Sequence, residues 1–443
     1  MAISISEYLT SRPATSREIQ AATGLTQATV SRQLRRMGES VIKLKDGRFL
    51  RYAMTRSAFG GNDQLPLYMV DAHGNNTAVA LIRPLAHGGF FVEPLTGMPS
   101  VLLGANADGL YNSLPYFLYD LAPQGFLGRQ IAKELSTQSE DFPSDPRGWT
   151  DDHIGRYLVS NGDDLPGNFK FGEQAHLRIR RKPVAVTSND YPKLAENVMD
   201  GIITGSSAGG EQPKFTAFSG DLSAHVIVKF SPKSDDPVAR RWRDILITEF
   251  HATEALHAKN FPAAETRLID KGGRLFLESQ RFDRVGEYGR MSMISLQYID
   301  AAFVGEGYGW NRAMHELYKM KLVSWQHCCD ATFLWGFGLL INNSDMHLGN
   351  LSLSIDGGVF RILPVYDMCS MGFAPKAGDV RPFSFTPPDL ESQSGVENIA
   401  KSFPAVMNMA HDFWERVTND DRISDEFRAF LEKGNPIKLK QNS

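Results

Sequence analysis

Cysteine is almost missing from this chain: its 443 residues include only Cys328, Cys329 and Cys369. An odd count without paired spacing excludes a disulfide framework and a cysteine-based zinc site, and the adjacent pair reads as helix core. Long apolar runs are missing as well. The longest, FLWGFGLLI at 333–341, has about half the length a membrane span needs. The start, MAISISEYLTSR, has no basic end leading into an apolar stretch, so no export leader is read there. The expectation is a cytoplasmic protein with no membrane partner. There are no internal repeats and no low-complexity tract. What is there is an ordinary globular composition, 42% hydrophobic and 22% charged, which argues against disorder and leaves room for two or three domains.

Charge is unevenly spread. Residues 1–56 hold ten Lys/Arg against four Asp/Glu, a surplus of +6, so with −4 for the whole chain the remaining residues carry −10. A basic head on an acidic body implies an anionic partner for the head. Within it, ATSREIQAATGLTQATVSRQLRRM predicts a helix from about Ser16 to Ala22, a turn at Thr23–Leu25, and a second helix from Gln27 to Met37 capped by Thr26. Ile19, Ala22, Leu25, Val30 and Leu34 fall at core spacing. The run VIKLKDGRFLRYAM then reads as a hairpin turning at Asp46-Gly47. Together these form a winged helix-turn-helix pattern and predict DNA as a partner. Gln27, Thr29 and Arg32 are placed for base edges, Ser31 and Arg35 share the outward faces, and Lys43, Lys45 and Arg48 are placed for phosphates. The bland alternative is a dimerisation or docking module with a solvated arginine face. A short linker is expected at Thr55–Gln64.

The chemistry centres on INNSDMHLGNLSL at 341–353. Moving a γ-phosphoryl group needs a carboxylate to orient and deprotonate the attacking hydroxyl, and oxygen ligands for divalent ions that neutralise the phosphates. Asp345 suits the base, and Asn350 and Asp367, the latter ending the strand-like LPVYDM, suit the metal. Upstream, IITGSSAGGEQPKF is a glycine-rich loop whose backbone could approach phosphate through Ser206, Ser207, Gly209 and Gly210. Lys229 lies in the alternating run AHVIVKF, where a half-buried lysine needs a partner. Glu249, on a predicted helix, is a candidate. Loop, strand lysine, helix glutamate, Asp…Asn and a later Asp are the parts of a protein-kinase site in chain order.

The segments SSAGGEQPKF, VIVKF, SQRFDR, NNSDMHLGN and LPVYDM resemble the HipA-like serine/threonine kinases, the toxin halves of bacterial toxin–antitoxin pairs. The resemblance covers about residues 65–430. It implies a two-lobed kinase-like fold using ATP and magnesium, with Asp345 as base, His347 in the same catalytic loop, and Asn350 and Asp367 on the metal. It further implies Lys229 on the phosphates, Gln280, Phe282 and Asp283 around adenine and ribose, and Ser207 as the autophosphorylated serine. A phosphate there adds nearly two negative charges and should expel the loop from the ATP site. Two positions depart from the pattern: Gln280 stands where an acid is expected, and Pro213 where another acidic residue is expected. Family members arrest growth, the best known by phosphorylating aminoacyl-tRNA synthetases, so a translation-related protein substrate and a HipB-like antitoxin are implied partners.

The predicted fold class is α+β. The domains expected are the winged head (1–56), an N-terminal kinase subdomain (65–198), a glycine-loop lobe (199–283) and a helical catalytic lobe (284–435). The subdomain should open with the strands LYMVDA, AVALIRP and GFFVEPL and continue in one helix over LPYFLYDLAPQGFLGRQIAKEL. Asp163 and Asp164, beside Pro166-Gly167, read as turn formers, and Arg281, Asp283 and Arg284 taken alone read as a surface cluster. Two other functions fit the same chain. One is a DNA-binding transcription regulator whose kinase-like body binds nucleotide without transferring phosphate. The other is a toxin acting on DNA itself, although no nuclease motif is present.

Overall fold

The structure, a computed structural model, describes residues 3–46, 49–139, 141–161, 164–174, 177, 182–200, 212–376, 378–388, 390 and 403–433. Four blocks follow one another along the chain. The first holds three helices, Ile5–Ser11, Ser16–Thr23 and Gln27–Arg36, beside an antiparallel sheet ordered Ala14–Thr15, Phe49–Met54, Val41–Asp46. Side-chain oxygens set the helix starts: Ser4 with Glu7 and Thr15 with Glu18 form reciprocal capping boxes, and Thr26 accepts from the Thr29 N–H. Gly24, at φ 70°, ends the second helix in the left-handed turn that glycine adopts without strain. Ile19, Val30 and Leu34 are buried as their spacing predicts. The first helix was not foreseen, and its Ile5 and Leu9 close the same core. Arg48 lies outside the described residues.

Residues 55–64 do not form a free linker. Strand Phe49–Met54 runs on into the next block through a Thr55–Leu85 bridge, with Arg56 N donating to Pro84 O and Ala86 N to Met54 O. Leu85 packs on Ile42, Leu44 and Ala53. Arg83, 4% exposed, donates to the carbonyls of Glu39 and Asp63 and pairs with the Asp63 and Glu93 carboxylates. Gly and polar composition signalled flexibility, but backbone pairing and a buried arginine fix the segment.

The second block is an antiparallel sheet ordered Leu110–Tyr111, Phe90–Pro94, Asn76–Pro84, Leu65–Val70, Phe169–Phe171. The single helix expected after it is two, Tyr116–Tyr119 and Gly125–Gln138. Pro123 lacks the N–H a continuous helix requires, and Asp120 instead turns its carboxylate onto Ser295 N and Oγ at 2.8 and 2.6 Å.

The third block is a sheet ordered Thr266–Lys271, Arg274–Gln280, Ala224–Phe230, Lys214–Ser219, Ala185–Val186, with the long helix Pro237–His257 on it. Asp236 caps that helix and Pro237 sits at its first turn. The fourth is mostly helical: Leu296–Phe303, Trp310–Lys319, Trp325–Leu340, Phe403–Thr418 and Asp425–Lys433, with a small sheet of Ile294–Ser295, Ser352–Asp356 and Val359–Ile362. Sheets that are nearly all antiparallel and helices gathered apart from them match the α+β expectation. Asp164 is more than a turn former. It pairs with Arg281 at 2.7 Å and Arg284 at 3.1 Å, joining the second block to the third, and that cluster is buried rather than superficial.

Candidate active site

Lys229 is the centre of the cleft. Strand alternation turns it inward, and Lys229, 7% exposed, holds its ammonium 2.5 and 2.7 Å from the two Glu249 oxygens and 2.6 Å from Asp367 Oδ1. Helix Pro237–His257 supplies Glu249 at a buried position, so the predicted strand–helix pair forms. Burial works against the Lys229 charge, but Asp367 and Glu249 outweigh it and lift its pKa well above the ordinary lysine value. Desolvation raises the Asp367 carboxyl, yet Lys229 and Lys214 pull harder and hold it at about 2. Lys214 is opposite Lys229 in the antiparallel register, hence on the same face of the sheet. The sequence reading assigned it no role, although its place at the end of the QPKF segment, where the strand begins, was the available signal.

Asp367 itself has φ 54°, in the left-handed region that costs an aspartate backbone strain. The expected strand before it is only a bridge between Val365 and Ala263. Breaking the strand there lets the carboxylate turn back onto Lys229.

The loop carrying Asp345 is stiff. Helix Trp325–Leu340 ends beneath it, and the Met346 side chain of the loop packs directly against Gly338 of that helix, where a Cβ would have to displace it. Asn343, 5% exposed, accepts the Asp345 N–H through Oδ1 at 3.1 Å and points Nδ2 at the Asp367 carbonyl, 3.5 Å away. It ties the Asp345 loop to the Asp367 loop, a role the motif alone did not disclose. Asn350 donates from Nδ2 to the Asp345 carbonyl at 2.8 Å, which orients its Oδ1 outward. His347 caps a short 3-10 turn through Gly349 N and comes within 3.8 Å of the Asp345 carboxylate, both side chains about half exposed. Trp310 donates its indole N–H to the His347 carbonyl at 2.9 Å.

Asn350 and Asp367 thus offer an amide oxygen and an ionised carboxylate, the hard oxygen donors that suit Mg²⁺. Among the described residues no group of three or more His, Cys, Asp or Glu could hold a metal, so any ion here would complete its shell with phosphate and water.

On the other wall Phe282 is half-buried with its ring centroid 5.7 Å from that of Tyr366, whose hydroxyl bonds Gly349 O and Ser352. Gln280 is exposed at its strand end. Asp283 is 4% exposed and its oxygens take Arg281, Arg284 and Gly167 N, so the carboxylate expected at the ribose is a buried joint. Ser206, Ser207, Gly209 and Gly210 lie outside the described residues. Far along the chain, Gln27, Arg32, Arg35, Lys43 and Lys45 are exposed on the head, while Thr29 and Ser31 are half-buried.

Comparisons with known proteins identify the chain's relatives. Residues 61–180 match the family model described as YjjJ-like toxin, middle domain, and residues 206–424 that of the HipA-like C-terminal domain. The chain is 33% identical over 449 aligned positions to Toxin YjjJ of Escherichia coli strain K12, covering 99% of this chain and 97% of that one. Its fold resembles a chain of the Shewanella oneidensis MR-1 complex of HipA, HipB and operator DNA, with TM-score 0.55 and 16% identity over 85% of this chain and 95% of that one. A partial likeness, TM-score 0.36 over 52% of this chain, is to the Helicobacter pylori proinflammatory kinase CtkA. Among the described residues no helix is long and apolar enough to cross a membrane.

Proposed function

The chain belongs to the YjjJ-like toxin family, and from that premise we propose that it is a cytoplasmic serine/threonine protein kinase whose N-terminal winged helix-turn-helix binds DNA. The observation that carries the kinase reading is Lys229 clasped between Glu249 and Asp367 beside the Asp345–Asn350 loop. ATP supplies the phosphoryl group and Mg²⁺ neutralises its charge. Lys229 is positioned to exchange Asp367 for phosphate oxygens while keeping Glu249, which frees Asp367 to join Asn350 as an oxygen donor. Asp345 accepts the proton of the acceptor hydroxyl as that oxygen bonds to the γ-phosphorus and the bond to the β–γ bridging oxygen breaks, with ADP leaving. His347, half exposed and 3.8 Å from the Asp345 carboxylate, orients it.

On the head, the exposed Gln27, Arg32 and Arg35 of helix Gln27–Arg36 would meet bases and phosphates, and Lys43 and Lys45 the backbone. A HipB-like antitoxin is a further proposed partner, since the structural relative named above was solved with HipB and operator DNA. The test is phosphotransfer from labelled ATP and magnesium by wild type and Asp345→Ala, with label mapped by mass spectrometry. Label on Ser207 that vanishes in the variant establishes the kinase. No label, with nucleotide binding intact, would leave a DNA-binding regulator with a silent kinase-like body.

A further inference from the structure

We propose that Asp164, from the second block, is a positioning residue for the nucleotide: acting through Arg281, it fixes Phe282 on the wall of the cleft. This rests on the reading of that cleft as an ATP site.

Residues 281–295 connect the third block to the fourth, so the two walls of the cleft would turn about them. The second block grips this connection along its length. At the start, Arg281 donates to Asp164 Oδ1 at 2.7 Å and to the two Asp283 oxygens at 3.0 and 2.9 Å. Arg284 donates to the same Asp164 oxygen at 3.1 Å and to the Leu165 carbonyl at 2.6 Å, and Gly167 N donates to Asp283 at 2.9 Å. Further on, Arg290 N donates to the Asp71 carbonyl at 2.9 Å. At the end, the Asp120 carboxylate takes Ser295 N and Oγ.

Charge singles out Asp164 among these contacts. Arg281 and Arg284 are 8% and 7% exposed, and Asp283, 4% exposed, is one carboxylate shared by two guanidinium groups. Asp164 supplies the second anion, and among the described residues no other carboxylate outside the connection pairs with either arginine. Without it two buried cations would lean on one anion, and an arginine would relieve that by turning toward water. Phe282 stands between Arg281 and Asp283, so its backbone is held on both sides by this cluster. Its ring centroid lies 5.7 Å from that of Tyr366, which bonds the Gly349 carbonyl through its hydroxyl and directly precedes Asp367. A shift at Arg281 is therefore passed by Phe282 and Tyr366 to the loops that carry Asn350 and Asp367. The Asp164 side chain is itself 52% exposed, so its charge can be removed without opening a cavity in the core.

The experiment titrates the full chain with magnesium and a non-hydrolysable ATP analogue by calorimetry, comparing wild type, Asp164→Asn and Asp164→Glu at a temperature where all three are folded. Urea midpoints are measured alongside. Asp164→Asn, which keeps the shape and removes the charge, should raise the Kd of the analogue about tenfold, whereas Asp164→Glu, with room to reach both arginines, should stay within about twofold of wild type. An Asp164→Asn variant that loses stability but binds the analogue as wild type does would make the pairing a joint alone and overturn the proposal. Equal weakening by both variants would also overturn it, because charge would then not be what holds Phe282. A wild type that binds no nucleotide would remove the ATP-site reading and the positioning role with it. A wild type that binds the analogue but transfers no phosphate from ATP would remove only the kinase reading, and the three Kd values would still decide the role of Asp164.

Discussion

The cleft and the N-terminal head are both rich in charge, and they hold it in opposite ways. In the cleft the Lys229 ammonium lies 2.5 to 2.7 Å from carboxylate oxygens of both Glu249 and Asp367, with Lys229 and Glu249 almost wholly out of water. On the head Arg32, Arg35, Lys43 and Lys45 are exposed, and no ion pair holds any of them among the described residues. Buried, mutually paired charge is expensive to disturb and preorganised for a ligand that will substitute for one partner. Exposed charge of one sign is cheap to remove, and under the proposed DNA-binding reading it would exchange counterions with a polyanion.

The largest test of that contrast is Lys229→Met. It leaves Glu249 buried without its cation and should destabilise the protein by about 3–5 kcal/mol, read as a drop in the urea unfolding midpoint, besides abolishing phosphotransfer. A variant as stable as wild type would show that the pairing carries no structural weight. Arg83→Ala comes next. This arginine is as buried as Lys229 but sits under the head, where it holds the carbonyls of Glu39 and Asp63. Loss of about 2 kcal/mol and a separate, earlier thermal transition for residues 3–54 are expected, since the head would lose its anchor to the body. A single unshifted transition would place the rigidity of the joint in the backbone ladder and Leu85 instead. Smaller still in the fold, but not in binding, is Arg32→Ala with Arg35→Ala. Stability should stay within about 0.5 kcal/mol, while affinity for a DNA duplex falls and the slope of log K against log salt becomes shallower by about one to two units, measured by fluorescence anisotropy.

The same contrast explains what could be read from the chain beforehand. The Lys229–Glu249 pair was legible because a lysine in a half-buried strand needs a carboxylate, and the Asp345…Asn350 spacing because a turn holds the two close enough for Asn350 to bond the Asp345 carbonyl. Thr26, as a cap, likewise announced the head's third helix. What stayed hidden depends on long-range packing. The first helix, only seven residues long, owes its place to Ile5 and Leu9 under the second and third helices. The 55–64 segment looked loose because its composition is that of a linker, whereas its order comes from Arg83 and Leu85, some 20 to 30 residues further on. Asp283 was assigned to a ligand because its neighbours Arg281 and Arg284 read as a surface cluster, whereas packing against Gly167 and Asp164, more than a hundred residues earlier, buries the cluster and takes up its oxygens. Lys214 acquires its role only once strand register sets it opposite Lys229.

Asp120, half-buried beside the same cleft-side elements, sharpens the contrast. Like Asp367 it is a half-buried carboxylate, but its partners are the Ser295 N–H and hydroxyl rather than a cation. Burial therefore prevails, and its pKa rises to about 6, where Lys229 and Lys214 hold Asp367 at about 2. A carboxyl whose folded pKa lies above its unfolded value favours the folded state while protonated. That contribution is full below the unfolded value near 4 and is lost as pH rises through about 6. Asp367 runs the other way, its contribution present above pH 4 and lost as pH falls toward 2. Asp120→Asn keeps the shape and removes the titration. The difference in unfolding free energy between wild type and this variant should shift by about 1–2 kcal/mol in favour of wild type between pH 7 and pH 4.5, read from urea midpoints at both values. A pH-independent difference would mean that Ser295 satisfies the ionised carboxylate fully, and that in this protein a hydroxyl and an N–H can stand in for a buried cation.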